Sequence, residues 1–402
     1  MIDIDNKANC CGCGACVSAC PQNALVMEPD EDGFLYPFLN ELCCLHCDNC
    51  SRVCTYQKKE PRGSIKETYA AITVGVDRSR SASGGAFAGL AKTILEEGGV
   101  VFGSSLSFHR DKIKISHVLI DGIEELGKLQ GSKYVQSEIG DSYAKAKERL
   151  KQGQIVLFSG TPCQIAGLYG YLGKEYENLF TVDLVCHGVP SEQMFLDYIR
   201  SEESKAGGKI IDFQFRDKSQ GWKLYGSRTI RKNSGELQIK YFEPEESSFY
   251  QLFLNGYTYR KNCYSCPYAG GNRMGDLTLG DFWGIEIVQP ELLQENGGPL
   301  DEKTGISCLI VNNEKGKKLL QMSSDIIVFS STYEKAQRYN GQLREPSRLK
   351  PERETVLRLY RSGYENIEKW YRRRLIKIRA FRGIRKAVPV PVKKAIKNVL
   401  KR

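Results

Sequence analysis

The chain has 402 residues, of which 41% are hydrophobic and 26% are charged, the balance of a soluble globular protein. Its length predicts two or three domains. No segment approaches the roughly 18 consecutive apolar residues that a membrane-spanning helix requires. The first ten residues lack the apolar core of a secretory signal, so we expect a cytoplasmic protein. In that reducing compartment the fifteen cysteines are expected to be metal ligands, redox groups or core residues.

The net charge of +10 is concentrated at one end of the chain. Residues 369–402 contain fourteen Lys or Arg and no Asp or Glu, so the remaining residues carry 10 − 14 = −4. A nucleic-acid-binding protein needs a basic face on the fold itself. The composition therefore argues against a specific nucleic-acid partner.

The predicted elements fall into three regions. Residues 1–62 hold ten of the fifteen cysteines and form a separate module, and from Pro351 the chain is mostly helical. Between them, short β-branched runs alternate with helical patterns, which predicts a mixed α/β body whose strand order stays open. The body pattern predicts strands at 71–76, 100–106, 115–120, 155–158, 180–185, 210–215, 227–231, 237–241, 277–279 and 307–311, and helices at 85–97, 142–151, after Gly160, 192–201 and 248–254.

Two cysteine runs in the first module share the spacing C-x2-C-x2-C-x3-C; Pro21 follows the first run and Thr55 the second. Three thiolates of such a run reach three irons of one cubane, and the fourth completes the other cluster. We therefore predict a ferredoxin-like domain with two 4Fe-4S clusters. The ligands of cluster one are then Cys10, Cys13, Cys16 and Cys54, and those of cluster two are Cys44, Cys47, Cys50 and Cys20.

Zinc binding is the alternative for this module, but zinc sites use two separated pairs of ligands, which a repeated triplet does not suit. Gly12 and Gly14 fit a backbone that approaches a cluster closely. Cys11 and Cys43 have no position in either ligand set and are interpreted as spare thiols.

Five cysteines remain in the body. Cys308 lies in an apolar strand and is predicted to be a core residue. The other four occupy turn-like positions, where their thiols could bind one more cubane or zinc, or could be unrelated buried groups. These four are Cys163, Cys186, Cys263 and Cys266.

Several stretches of the body occur together in one order: SASGGAF (81–87), GSKYVQS (131–137), LFSGTPCQIAGL (157–168), VDLVCHGVPS (182–191), and CYSCPYA with GDLTLGDFWG (263–284). Across about residues 66–312 the chain resembles the coenzyme F420 hydrogenase/dehydrogenase beta-subunit family, many of whose members carry a fused N-terminal ferredoxin module. The resemblance implies a flavoprotein that binds FAD beside a 4Fe-4S cluster and exchanges electrons with a second redox partner. It does not imply that coenzyme F420 is used.

This resemblance makes the four turn cysteines the ligands of a third 4Fe-4S cluster and SASGGAF a flavin-phosphate element. Ser83, Gly84 and Gly85 precede a predicted helix, whose positive end could hold a diphosphate. An ordinary Ser N-cap is the alternative. The other predicted cofactor-binding residues are Ser132, Lys133 and Thr161.

Two residues are predicted to take part in catalysis. His187 is one of four histidines and adjoins a predicted ligand, so it could donate a proton to flavin or substrate, or could instead cap a strand end. Lys133 could place a positive charge near the flavin, or could be a solvated surface lysine.

The resemblance divides the chain into a ferredoxin domain at 1–62, an N-terminal-type region of the beta-subunit family at 66–145, a C-terminal-type region at 150–330 and a helical basic tail at 331–402. The predicted fold class is α+β (mixed α/β): a ferredoxin-like module, a flavin and iron–sulfur body, and the tail. In the tail, a basic helix with an apolar face suits an anionic membrane surface, at the inner face of the membrane, although a solvated helix or one that docks an acidic partner stays open. That face holds Tyr371, Leu375, Ile378 and Phe381.

The predicted function is an oxidoreductase that passes electrons between ferredoxin, or another redox protein, and a small organic acceptor through 4Fe-4S clusters and FAD. The alternative is a non-catalytic electron-transfer subunit of a larger redox complex. An iron–sulfur nucleic-acid binder would require salt-sensitive affinity for DNA or RNA, which the acidic body disfavours.

Overall fold

A computed structural model of the chain describes residues 6–58, 64–109 and 112–387, with side chains described as far as residue 376. It has the predicted mixed α/β architecture, with a cysteine-rich module, an eight-stranded sheet and a helical C-terminal region. No helix in these ranges is both long and apolar enough to cross a bilayer.

The N-terminal module consists of short elements around the two cysteine runs. The backbone takes left-handed conformations at Gly12 and Gly14 in the first run and at His46 and Asp48 in the second. These positions correspond in the two C-x2-C-x2-C repeats, so the runs fold alike. The elements are α1 (Ala15–Ser18), the antiparallel strands β1 (Leu25–Pro29) and β2 (Leu35–Leu39), α2 (Asn49–Val53) and α3 (Thr55–Lys58).

The body is built on one sheet with the strand order β13-β3-β12-β11-β7-β6-β4-β5. The four strands β4, β6, β7 and β11 run parallel, and β3 points the same way because two antiparallel pairings separate it from β11. The predicted regions 66–145 and 150–330 therefore share this sheet. Its strands are β3 (Glu67–Thr73), β4 (Val100–His109), β5 (Lys112–Ile120), β6 (Val156–Gly160), β7 (Leu179–Leu184), β11 (Leu277–Asp281), β12 (Ser307–Val311) and β13 (Ile326–Ser331).

Helices cover both faces of this sheet. Alternate residues point to opposite faces of a strand, so Val101 and Leu157 pack on one side while Phe102 and Phe158 pack on the other. A smaller antiparallel sheet lies beside the main one and consists of β8 (Gly208–Gln214), β9 (Gly226–Lys232) and β10 (Leu237–Phe242). The helices are α4 (Ala86–Glu96), α5 (Ser142–Lys151), α6 (Pro162–Leu172), α7 (Glu192–Ala206), α8 (Ser248–Leu254), α9 (Ile285–Val288), α10 (Glu314–Met322), α11 (Tyr333–Tyr339), α12 (Glu352–Arg361) and α13 (Tyr364–Ala387).

The N-terminal module packs directly on the body through α6. Tyr56 of the module shares one hydrophobic core with Ile165, Leu168 and Tyr268 of the body. Two glycines of α6 allow this close approach: a β-carbon at Gly167 would lie 2.8 Å from the Cys13 sulfur. The module and the body therefore meet at a cysteine loop that is predicted to hold cluster one.

Candidate functional site

The predicted site residues gather at one edge of the main sheet, where the parallel strands end. β6 ends before Cys163, β7 ends before Cys186 and His187, and β11 ends at Asp281. β3 ends at the same edge and leads into the SASGGAF stretch. Ligands of open α/β sheets bind in the crevice at this edge.

The four body cysteines come together here. Cys163 lies in the first turn of α6, and Cys263 and Cys266 lie on a 3-10 turn (Lys261–Ser265) and directly after it. Burial and the neighbouring thiols Cys263 and Cys163 raise the pKa of Cys186, and burial together with Cys163 raises that of Cys266 to about 11. The thiols thus lie within one another's electrostatic field, and a metal cluster would hold them as thiolates.

The cysteines predicted for cluster one also form a group. Burial and the neighbours Cys13 and Cys10 raise the pKa of Cys16, and the same influences raise that of Cys54 to about 11. Among the described residues, no three His, Cys, Asp or Glu side chains lie close enough to hold a single metal ion.

The cysteines predicted for cluster two line one small cavity at the outer end of the module. Its volume is about 40 Å³, and Cys47 is exposed to solvent. Leu42 and Leu45 beside it are 98% and 63% exposed, an unusual exposure for large apolar side chains. The cavity is lined by Cys20, Cys44, Cys47 and Cys50 together with apolar neighbours.

Cys11, interpreted from the sequence as a spare thiol, is buried between two of these groups. Its thiol lies beside those of Cys13 in the cluster-one group and Cys163 in the body group, and these neighbours raise its pKa. Hydrogen bonding from Cys11 lowers the pKa of Cys163 to about 7. Sequence spacing could not assign Cys11 because its two partners belong to different domains.

The SASGGAF stretch forms the turn between β3 and α4. Gly85 precedes the helix with φ +88°, and no side chain caps the first turn of α4. Gly84 lies against the sheet, since a β-carbon there would lie 2.3 Å from the Ala71 carbonyl oxygen. Ser83 donates to the Ile306 carbonyl oxygen at 2.7 Å, so the alternative interpretation as an ordinary Ser N-cap does not hold.

Two cations surround this turn. Lys218 donates to the carbonyl oxygens of Ser83 and Thr304, each at 2.8 Å, and burial and then Arg78 lower its pKa to about 8. The Arg78 side chain also lies close to the turn, since a β-carbon on Gly85 would stand 3.2 Å from the Arg78 Cγ. An uncapped helix N-terminus flanked by Lys218 and Arg78 has the charge that a diphosphate requires.

Comparison with known proteins identifies both parts of the chain. Residues 153–334 match the family model for the C terminus of the coenzyme F420 hydrogenase/dehydrogenase beta subunit, and residues 9–58 match the 4Fe-4S dicluster domain. The chain joins a 4Fe-4S dicluster domain to a region similar to the C terminus of the F420 hydrogenase/dehydrogenase beta subunit. The predicted family resemblance is therefore confirmed, and 4Fe-4S binding by the dicluster domain is supported.

Among solved structures, the chain is similar to a chain of the F420-reducing [NiFe] hydrogenase complex from Methanosarcina barkeri. The two are 16% identical, with a TM-score of 0.41, and the match covers 67% of this chain and 83% of that one. No curated protein sequence matches the chain.

The structure describes the surroundings of the other three predicted cofactor-binding residues. The Lys133 ammonium donates to the carbonyl oxygens of Leu129 and Gln130 at 2.9 and 2.7 Å, so it is not a solvated surface lysine. Burial lowers the pKa of Lys133 to about 7. Thr161 caps α6, and its hydroxyl contacts the Cys163 sulfur at 3.2 Å. Ser132 is half-buried beside Lys133.

His187 is exposed at the edge, immediately after Cys186. Its backbone carbonyl oxygen accepts a hydrogen bond from Ser347 at 2.6 Å, which fixes the backbone at this point. Burial lowers the pKa of His187, against the opposing effect of Asp281.

A buried ion pair beside the SASGGAF turn was not predicted from the sequence. Arg216 pairs with Asp281 at 2.9 Å and also donates to the Ala82 carbonyl oxygen. The Trp222 indole donates to Asp281, and its ring stacks on Trp283 with centroids 4.9 Å apart. The signal in the sequence was GDFWG, but the partners of Asp281 come from the segment between β8 and β9, which no local pattern connects to it.

His117 occupies a buried hydrogen-bond network behind the edge. Its Nε2 donates to the Ser159 carbonyl oxygen at 3.0 Å, and Ser137 donates to its Nδ1 at 2.8 Å. Burial lowers the pKa of His117 to about 4, so the ring is neutral in the folded protein.

The start of the basic tail is docked on the body. Tyr371 is buried and donates to the Glu245 carbonyl oxygen at 2.8 Å, so the prediction that it belongs to an apolar face for a membrane was wrong. It was wrong because α13 packs against α7 and α8, and the sequence does not show that this helix has a partner in the body. Ile376 is 67% exposed, and the predicted residues Ile378 and Phe381 lie outside the side chains that the structure describes.

Proposed function

We propose that this chain is an iron–sulfur flavoprotein oxidoreductase that passes electrons from a ferredoxin-type donor, through three 4Fe-4S clusters and FAD, to a small organic acceptor. One observation carries the proposal. Three groups of four cysteines follow one another from the exposed Cys47 to the carboxyl edge of the sheet. Cys11 lies beside Cys13 of the cluster-one group and Cys163 of the body group, where the module meets the body.

The order of the three cysteine groups indicates the end of the chain at which a protein partner would deliver electrons. The cluster-two group lies on the outer side of the module, beside exposed leucines that suit a protein partner. The cluster-one group faces α6, and the body group lies at the start of that helix. In this proposal the cluster-one ligands are Cys10, Cys13, Cys16 and Cys54, the cluster-two ligands are Cys20, Cys44, Cys47 and Cys50, and the third-cluster ligands are Cys163, Cys186, Cys263 and Cys266.

The turn between β3 and α4 is the proposed site of the FAD diphosphate. The amide groups at Gly85 and the following turn of α4, together with Arg78 and Lys218, would bind the phosphates. When bound, FAD couples single-electron transfers from the clusters to two-electron chemistry on an organic acceptor. His187 is proposed to hold the proton that the acceptor takes up, and Lys133 to place a positive charge near the flavin in its protonated form.

The experiment that tests this function uses the full chain, purified anaerobically. After reduction of a ferredoxin by an independent reductase, the flavin absorbance should bleach in the presence of the chain, and an added two-electron acceptor should restore it. A chain that binds FAD and iron but turns over no acceptor by itself would favour the second candidate, an electron-transfer subunit of a larger complex. The presence of the beta-subunit domain supports that candidate too. A chain without flavin would contradict both.

A further inference from the structure

Arg260 links the two domains from a position beside the body cysteines. Its backbone amide donates to the Val189 carbonyl oxygen at 2.9 Å, and its own carbonyl oxygen accepts from the amide of Cys263 at 3.0 Å. The backbone of Arg260 is therefore fixed next to a proposed ligand of the third cluster.

The side chain of Arg260 crosses to the N-terminal module. Its Nε donates to the Cys10 carbonyl oxygen at 3.0 Å, and its Nη2 lies 3.6 Å from the Cys10 sulfur. The guanidinium also lies over the Tyr36 ring, 3.8 Å from its centroid. Gly12 makes room for it, because a β-carbon there would lie 2.9 Å from the guanidinium carbon.

The charge of Arg260 is fully buried, with 0% of the residue exposed. No carboxylate forms an ion pair with it within residues 6–58, 64–109 and 112–376. An uncompensated buried charge is strongly unfavourable. Burial lowers the pKa of Arg260, but the ionisable groups beside it outweigh this effect; they are Cys10, Tyr36, Cys11 and Cys263.

A 4Fe-4S core held by four thiolates supplies the missing negative charge, and it gains one more when it accepts an electron. A fixed positive charge and an N–H group at a ligand sulfur both stabilise the reduced form, and such contacts set the potentials of iron–sulfur clusters. The position of Arg260 fits such a cluster better than it fits four neutral thiols.

We infer that Arg260 is a positioning residue that raises the reduction potential of the cluster held by Cys10 and so favours electron transfer from cluster two inward. This inference rests on the proposed function. In the step concerned, the donor would lose one electron, and a cluster held by the cluster-one cysteines would gain it after passage through the cluster-two group. No bond is broken, and Arg260 keeps its protons throughout.

The test is a redox titration of the purified full chain, followed by EPR of the reduced clusters. Arg260→Met should favour the oxidised form of one cluster by about tenfold, which is about 59 mV for a one-electron couple, while Arg260→Lys should keep most of the potential. The matched control is Arg348→Met, because the Arg348 side chain is 81% exposed and pairs with nearby Glu345. A purely structural role would lower thermal stability in the Met variant with every potential unchanged, and that result would overturn the inference.

A second measurement leaves Arg260 unchanged, so it does not depend on the folding of the Met variant. Pulsed EPR of reduced chain labelled with ¹⁵N-arginine should show a weakly coupled nitrogen. The labelled chain carries Arg52→Lys, because Arg52 reaches the Cys47 carbonyl oxygen at 3.4 Å and would give its own signal. Absence of the coupling in a chain that contains its full iron would overturn the inference alone, whereas absence of iron would overturn the proposed function.

Discussion

Gly170 of α6 lies directly against the backbone of Val53 in the N-terminal module: a β-carbon on Gly170 would stand 2.1 Å from the Val53 carbonyl oxygen. At this point the backbones of the two domains are in contact, with no room for a side chain between them. This contact places Cys163 at the start of α6 beside the cluster-one loop, and it is the basis of the proposed electron path.

Replacing Gly170 by alanine should separate the module from the body. We expect a loss of about 1–3 kcal/mol in the free energy of unfolding from overpacking and slower reduction of the flavin by reduced ferredoxin. Iron content should not change, because no proposed ligand is touched. Stopped-flow absorbance and denaturant titration measure the two effects. Gly341→Ala is the matched control, since a β-carbon there meets no atom closer than 3.9 Å. Equal flavin reduction rates in both variants would contradict the role of this contact.

The network around His117 predicts acid sensitivity. Its pKa is about 4 in the folded protein and about 6.5 in the unfolded chain, so the unfolded chain binds more protons between these values. Stability should therefore fall as the pH is lowered through this window, by about 2 kcal/mol between pH 7 and pH 5 from this residue. Denaturant titrations of wild type and His117→Gln at both pH values measure it. The variant should lose less stability on acidification; an equal loss would show that His117 is not the group that titrates.

The proposed diphosphate site predicts that charge at the start of α4 controls flavin binding. Gly85→Asp should lower the FAD released per chain on denaturation, because a carboxylate opposes the diphosphate at the positive helix end. Gly85→Asn is the control, since it has the same shape and also tolerates the left-handed backbone. Loss of FAD from both variants would indicate backbone strain, and full retention in the Asp variant would place the phosphates elsewhere.

The basic tail predicts binding to anionic membranes. A chain that ends at Ile376 keeps the docked Tyr371 and the contact of Arg374 with Tyr257, but it loses ten of the fourteen basic residues. The full chain should sediment with anionic liposomes and the shortened one should not, and added salt should weaken the effect because charges are screened over about 10 Å at 0.1 M. Equal sedimentation of both chains would remove the membrane hypothesis.

Much of the fold followed from local patterns. The helix at 142–151, the helix at 248–254 and the strand at 307–311 were predicted with their observed bounds, because their apolar spacing matches the faces that they bury. The first strand of the body was predicted at 71–76, but it ends at Thr73. Gly75 takes φ +72° and Val74 is 45% exposed, so the chain already turns there. The short strands β1, β2 and β13 were not predicted, because whether such a short segment forms a strand depends on the strand that pairs with it.

The site could be predicted only where ligands follow a fixed spacing. The cysteine runs of the module gave two groups that the structure brings together, and Cys308 is fully buried in β12, as predicted. The buried roles of Cys11, Arg260 and Arg216 depend on contacts between residues far apart in the chain, which no local pattern contains.

The most direct test of the account is the iron content of the anaerobically purified chain. Three 4Fe-4S clusters require about twelve irons per chain, whereas the two clusters of the dicluster domain alone supply about eight. Cys163→Ser should lose up to four irons and keep the EPR signals of the module, while Cys308→Ser should cost packing stability and keep its full iron. A wild-type chain with only about eight irons, or a Cys163 variant with an unchanged iron count, would contradict the third cluster and with it the proposed path to flavin.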